Sequence, residues 1–84
     1  MKLSYFSWIR ERVGIDTEEV DLPRDVVTIA DLIAWLKSRD EAFAHVLAHD
    51  KSIRVAVNKE HVDDRQAPIA GAREIALFPP MTGG

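Results

Sequence analysis

The stretch Thr28-Ile-Ala-Asp-Leu-Ile-Ala-Trp-Leu-Lys-Ser-Arg39 decides the architecture of this chain. Ile29, Leu32, Ile33 and Leu36 recur at i, i+3, i+4 and i+7, which gathers them on one helical face. Thr28 stands where an N-cap belongs, and Asp31 three residues later approximates a capping box. Lys37 and Arg39 fall in the last turn, where cations suit the helix dipole. Trp35 lies on the flank of the apolar stripe. The pattern predicts one amphipathic helix that must be covered along a single face.

The flanking segments alternate with period two, so the cover is a sheet. KLSYFSW, residues 2–8, reads as a first strand, with Leu3 and Tyr5 on one face and Phe6 and Trp8 on the other. IRERVG, residues 9–14, reads as a short helical turn closed by Gly14. TEEVDLP, residues 17–23, reads as a second strand with Val20 and Leu22 inward and Pro23 ending it. Beyond the main helix, DEAFAHVLAHD predicts a shorter helix entered at Asp40 and Glu41. SIRVAVN predicts a strand with Ile53, Val55 and Val57 alternating. NKEHV reads as a turn into a short edge strand around His61 and Val62, and APIAGARE holds a turn centred on Gly71. EIALF, residues 74–78, closes the set, with Ile75 and Leu77 on one face and Ala76 and Phe78 on the other. One main helix packed across a small mixed sheet is the economical way to bury these stripes. The predicted class is α+β, a β-grasp (ubiquitin-like) domain over residues 1–78, followed by an extended Gly-Gly tail over residues 79–84.

The totals limit what such a chain does. Its 84 residues allow one domain, and a domain of that size buries roughly 60–65% of its unfolded surface, too little for a deep catalytic cleft. The net charge is −3 and no Lys/Arg-rich stripe stands out, so nucleic acid is not an expected partner. No apolar run approaches the roughly 20 residues that a membrane helix needs, and MKLSYFSWIRER is not a signal peptide. There is no cysteine, hence no disulfide and no thiol nucleophile; the expected location is cytoplasmic.

Catalytic motifs are missing as well. The sequence holds no GxGxxG, Walker or GxSxG motif, and Ser4, Ser7, Ser38 and Ser52 have no evident His and Asp partners. His45 and His49 stand at i, i+4, a spacing that binds zinc, but without the intervening Glu or a third ligand they read as surface histidines. No metal site is expected. Asp63-Asp64-Arg65 reads as a solvated loop, and Arg10-Glu11-Arg12 as a helix-surface ion-pair set of small energetic weight. Arg10 also suits bidentate pairing with a partner's carboxylate. Phe6 and Phe78, placed by strand parity on the face away from the helix, form a binding patch unless loops or the chain end cover them.

The last eight residues, LFPPMTGG, carry the most information. Pro79 and Pro80 lock φ and favour a stiff polyproline II stalk, and Phe78, preceding a proline, is pushed to extended geometry. Fully extended, Pro79 to Gly84 spans roughly 20 Å. Met81 and Thr82 restore some freedom. Gly83 and Gly84 lack Cβ atoms and fit a narrow tunnel. Such a tail suits the presentation of its carboxylate to another protein's active site.

With these residues in view, the chain resembles the small-subunit family of molybdopterin synthase, within the ubiquitin-like sulfur carriers. FPPMTGG matches that family's C-terminal signature. Arg10-Glu11-Arg12-Val13-Gly14, Leu22-Pro23, the Thr28-capped helix and Ala56-Val57-Asn58 extend the match across nearly the whole chain. Gly71-Ala72-Arg73-Glu74 departs from the Gly-Asp-Glu that the family often carries before the last strand. The resemblance implies a sulfur carrier that is not catalytic alone. An ATP-dependent, E1-like adenylating enzyme converts the Gly84 carboxylate to an acyl-adenylate. Sulfur from a sulfurtransferase or cysteine desulfurase then gives a thiocarboxylate. The large synthase subunit accepts the tail, and the sulfur attacks a cyclic pyranopterin precursor to build a dithiolene. By matching position, Phe6, Arg10, His61 and Phe78 face the large subunit, Pro79, Pro80, Met81 and Thr82 form the arm, Gly83 gives clearance and Gly84 reacts. No cofactor is held permanently, and a heterotetramer of two large and two small subunits is implied. Alternatives are a sulfur carrier for thiamine or tRNA thiolation, a ubiquitin-like protein modifier, and a plain binding module with an inert tail.

Overall fold

The computed structural model describes residues 1–48 and 52–80. In chain order the elements are β1 (Lys2–Tyr5), α1 (Ser7–Val13), β2 (Thr17–Glu19), α2 (Ile29–Arg39), α3 (Glu41–Leu47), β3 (Arg54–Val57), β4 (Glu60–His61) and β5 (Glu74–Phe78). The strands form one mixed sheet in the order β2-β1-β5-β3-β4. β1 and β5 run parallel at its centre, with Leu3 opposite Ile75 and Tyr5 opposite Leu77. The other pairings are antiparallel.

The α2 pattern folds as its spacing requires. Ile29, Leu32, Ile33 and Leu36 are buried, and they join Leu3, Tyr5, Val55, Ile75 and Leu77 of the sheet in one core. The capping box is complete: Thr28 Oγ1 accepts the Asp31 N–H at 3.1 Å, and Asp31 Oδ2 accepts the Thr28 N–H at 3.1 Å. That bond and a second from Val27 N–H hold the Asp31 carboxyl below the usual carboxylate range. α3 begins as expected, with the Asp40 carboxylate accepting the Phe43 N–H at 3.0 Å. It adds Phe43, Val46 and Leu47 to the core.

Three sequence expectations are corrected. The first strand stops at Tyr5; Ser7 and Trp8 begin α1, so Trp8 does not sit on the outer face of a strand. The second strand is confined to Thr17–Glu19, and Val20 and Leu22 pack half-buried from the loop beyond it. Arg65 does not lie in a solvated loop. Its Nη2 donates to the Ile53 carbonyl at 2.8 Å, and its own carbonyl accepts the Ala30 N–H, tying the 64–67 turn to the start of α2.

Two turns explain the local geometry. Asn58 and Lys59 have φ of 50° and 72°, the positive pair that a two-residue hairpin needs between β3 and β4. The Asn58 side-chain oxygen then accepts the N–H groups of Arg73 and Glu74 at 2.8 and 3.1 Å. These two bonds pin the turn before β5. At Gly14, φ of 85° with an N–H bond to the Arg10 carbonyl ends α1 in the left-handed cap that glycine adopts without strain. Among the described residues no helix is long and apolar enough to cross a membrane.

A polar cluster closes the core beneath β2. Tyr5 Oη donates to Glu18 Oε2 at 2.7 Å, and Arg39 grips both carboxylate oxygens of Glu18 at 2.8 and 3.0 Å. The Arg39 guanidinium also lies over the rings of Trp35 and Phe43, 5.0 and 5.3 Å from their centroids. Arg39 bonding holds the Glu18 carboxyl below its ordinary value, while burial, aided by Glu18, drives the Tyr5 hydroxyl far upward. A carboxylate with a depressed folded pKa stabilises above its unfolded pKa, and that contribution is lost as pH falls through the folded value. Glu18→Gln should therefore cost about 1–3 kcal/mol near neutral pH. The gap from the parent should narrow below the ordinary carboxylate value of 4.5. Urea unfolding at neutral and acid pH checks this, and an equal gap at both would contradict it.

Candidate functional site

The face of the sheet turned away from α2 is set by register. Inward residues Leu3, Tyr5, Val55, Ile75 and Leu77 leave their neighbours Ser4, Ala56, Ala76 and Phe78 on the opposite face. Ser4 lies opposite Ala76, Ala76 opposite Ala56, and Ala56 opposite His61. Ser4, Ala76 and Ala56 form a flat floor across three strands, bounded by His61 on the fourth. Toward the C-terminal end of β5 the floor rises into aromatics. Phe78 is half-buried and pairs in register with Arg54. Its ring meets His61 edge-to-face, centroids 5.7 Å apart. His61 Nε2 lies 2.9 Å from Asp63 Oδ1. At the other end of the face the character changes: Ser4 Oγ donates to Glu74 Oε2 at 2.7 Å, and Lys2 Nζ lies 3.9 Å from the same oxygen.

Phe6 follows β1 directly and is 47% exposed. It is not a strand residue, as parity had assumed, but it stays extended, and its N–H bonds the Leu77 carbonyl at 3.1 Å. Phe6 is thereby anchored to the strand that leads to the tail. Arg10 sits one turn further along α1 and is exposed. Neither Arg10 nor Arg12 has an ion pair among the described residues, so the surface ion-pair set expected there does not form. Pro79 and Pro80 are half-buried at the end of β5. Met81, Thr82, Gly83 and Gly84 lie outside the described residues, as does His49.

The structure therefore brings His61 and Phe78 into contact and ties Phe6 to the residue before Phe78. The Asp63 carboxylate beside His61 was missed in the sequence. The sequence hint was its position two residues beyond His61, across the end of an edge strand. The hollow beside Arg10, about 610 Å³ and open to solvent, is lined by Arg10, Glu11, Gly14, Ile15, Asp16 and Thr17. Its lining holds no histidine, serine or cysteine for nucleophilic catalysis. No cluster of His, Asp or Glu suited to a metal occurs among the described residues. What this end of the molecule offers is a partly exposed aromatic patch beside the end of β5.

Known proteins are similar to this chain in sequence and fold. The profile of the ThiS family matches residues 3–84. The chain is 33% identical to a molybdopterin synthase sulfur carrier subunit from Escherichia coli, over all of this chain and 99% of that one. Among solved structures, SAMP1 from Haloferax volcanii superposes with a TM-score of 0.74 at 30% identity, covering 99% of this chain and 97% of that one. A complex of subunits 1 and 2 of the molybdopterin-converting factor from Helicobacter pylori contains a chain of the same fold. Its TM-score is 0.65 at 23% identity, with 99% of this chain and 96% of that one covered.

The two faces of the sheet should respond differently to substitution. Phe6→Ser and His61→Ala, both on exposed side chains, should change stability by no more than about 0.5 kcal/mol. Leu77→Ala, one residue from Phe78 but facing the core, should cost about 2–5 kcal/mol. Thermal and denaturant unfolding compare them; a Phe6 variant as damaged as the Leu77 variant would contradict the assignment of faces.

Proposed function

This chain belongs to the ThiS family, and on that premise we propose that it is the sulfur-carrying small subunit of a molybdopterin synthase. The observation that carries the reading is the end-to-end match with a molybdopterin synthase sulfur carrier subunit. The tail supports it independently. It leaves the central strand of the sheet beside exposed aromatics, and the family match runs through Gly84.

The chemistry follows from what a carboxylate lacks. A carboxylate is a poor electrophile, so an E1-like enzyme first transfers AMP from ATP to the Gly84 carboxylate, releasing pyrophosphate. The terminal sulfur of a persulfide, carried by a sulfurtransferase or cysteine desulfurase, adds to the acyl carbon, AMP departs with its oxygen, and a thiol reductant cleaves the resulting acyl disulfide, taking up the donor's sulfur in a new disulfide. The product is a thiocarboxylate on Gly84. In the large subunit the thiocarboxylate sulfur is the nucleophile toward a cyclic pyranopterin precursor, and two such transfers complete the dithiolene. The carrier contributes position. Phe6, Arg10, His61 and Phe78 dock the large subunit, Pro79 and Pro80 direct the arm, Met81 and Thr82 let it adjust, and Gly83 clears the tunnel. A reaction that draws on ATP and a reduced sulfur donor, in a chain without cysteine, fits the cytoplasm.

The reading is tested by changing the length of the arm. Deleting Gly84, or adding one residue after it, should abolish molybdopterin formation in a mixture of activating enzyme, ATP, sulfur donor, large subunit and precursor. Thermal unfolding of the domain should be unchanged. An extended variant that still supports synthesis, with its extra residue confirmed by mass, would overturn the assignment of Gly84.

A further inference from the structure

Phe6 is bonded on both sides of its backbone. Its N–H donates to the Leu77 carbonyl at 3.1 Å, one residue beyond the last rung of the parallel β1–β5 ladder. Its own carbonyl accepts the N–H groups of Ile9 and Arg10 at 3.2 and 3.4 Å, which opens α1. A single residue ends the sheet and starts the helix. The chain makes the turn between them at Ser7, whose φ is 54°.

A left-handed φ is uncommon for a residue with a Cβ and is strained relative to glycine. Nothing local to the Ser7 side chain offsets that strain: its hydroxyl has no hydrogen bond among the described residues. The turn joins two anchored segments: Ile9 beyond it is fully buried, and Phe6 before it is tied to β5. The left-handed well of a residue with a Cβ is small, whereas glycine's positive-φ range is broad. Serine at this position therefore leaves the junction fewer backbone states than glycine would. The residue so held is Phe6, exposed at the root of the arm, with Arg10 bonded to it one turn on.

We propose that Ser7 is a positioning residue for docking: its left-handed backbone fixes Phe6 in the orientation that the large subunit receives. The inference rests on the docking face assigned above. A side chain already held in its bound orientation need not be ordered on association. The hydroxyl plays no part, so any residue that accepts left-handed geometry and restricts it serves equally well.

The test measures affinity for the large subunit by calorimetric titration, with thermal unfolding of each variant in parallel. Ser7→Gly should fold with an unchanged or slightly raised midpoint yet bind about two- to fivefold more weakly, the size expected for freeing one residue's backbone. Ser7→Asn, which tolerates left-handed φ and keeps a Cβ, should bind like the parent. In a Phe6→Ala background the loss from Ser7→Gly should vanish, because the residue acts through that ring. Unchanged affinity in Ser7→Gly, an equal loss in the Phe6→Ala background, or a loss in Ser7→Asn as large as in Ser7→Gly would each overturn the inference. A failure of Phe6→Ala alone to weaken binding would instead count against the docking face itself.

Discussion

The parallel pairing of the first strand with the last is the constraint on which everything else depends. It places Leu3 and Tyr5 beside Ile75 and Leu77, and these four, covered by α2, form the centre of the core. A parallel pair cannot be joined by a tight turn, so the residues between must cross over. That crossover contains α2, α3 and the β3–β4 hairpin. The same pairing makes the chain's end leave from the middle of the sheet rather than from an edge. The residue that follows β1 flanks the end of β5. The bond from Phe6 N–H to the Leu77 carbonyl is the last expression of this pairing.

The two faces of the sheet differ in character. The inner face holds the core and, at its rim, the Tyr5–Glu18–Arg39 cluster, where a buried phenol and a half-buried carboxylate are matched by a guanidinium held against two rings. The outer face holds small residues and exposed or half-buried aromatics. Because strand side chains alternate, Leu77 and Phe78 belong to different faces although they are adjacent.

Much of this was legible in the sequence because the signals were periodic. The α2 stripe with its Thr28 cap, the alternation through residues 53–57 and 74–78, the glycine cap at Gly14 and the turn at Gly71 each reflect a local rule that the fold obeys. The misreadings occurred where tertiary contacts overrode local preference. Tyr5-Phe6-Ser7-Trp8 has the aromatic content of a strand, yet Ser7 turns left-handed and Ile9 beyond it is fully buried in the core. Thr17–Val20 alternates like a longer strand, but β1 offers partners only from Lys2 to Ser4. Arg65 looked solvated because its acceptor, the Ile53 carbonyl, is twelve residues away in sequence. Strand parity places Phe78 on the outer face but does not apply to Phe6, which lies beyond β1, and the contact of Phe78 with His61 required the β3–β4 register. The chemistry of the arm came from a short motif and its family, not from periodicity.

The account reduces to one claim about one carboxylate: Gly84 carries the sulfur. The most direct measurement is the intact mass of the carrier after incubation with its activating enzyme, ATP and a sulfur donor, followed by fragmentation to locate any change. The account predicts a mass gain equal to replacing one oxygen by sulfur, confined to Gly84 and reversed when the large subunit and pterin precursor are added. An unmodified Gly84 with a competent activating enzyme, or an isopeptide bond from Gly84 to a lysine in place of the sulfur, would contradict it.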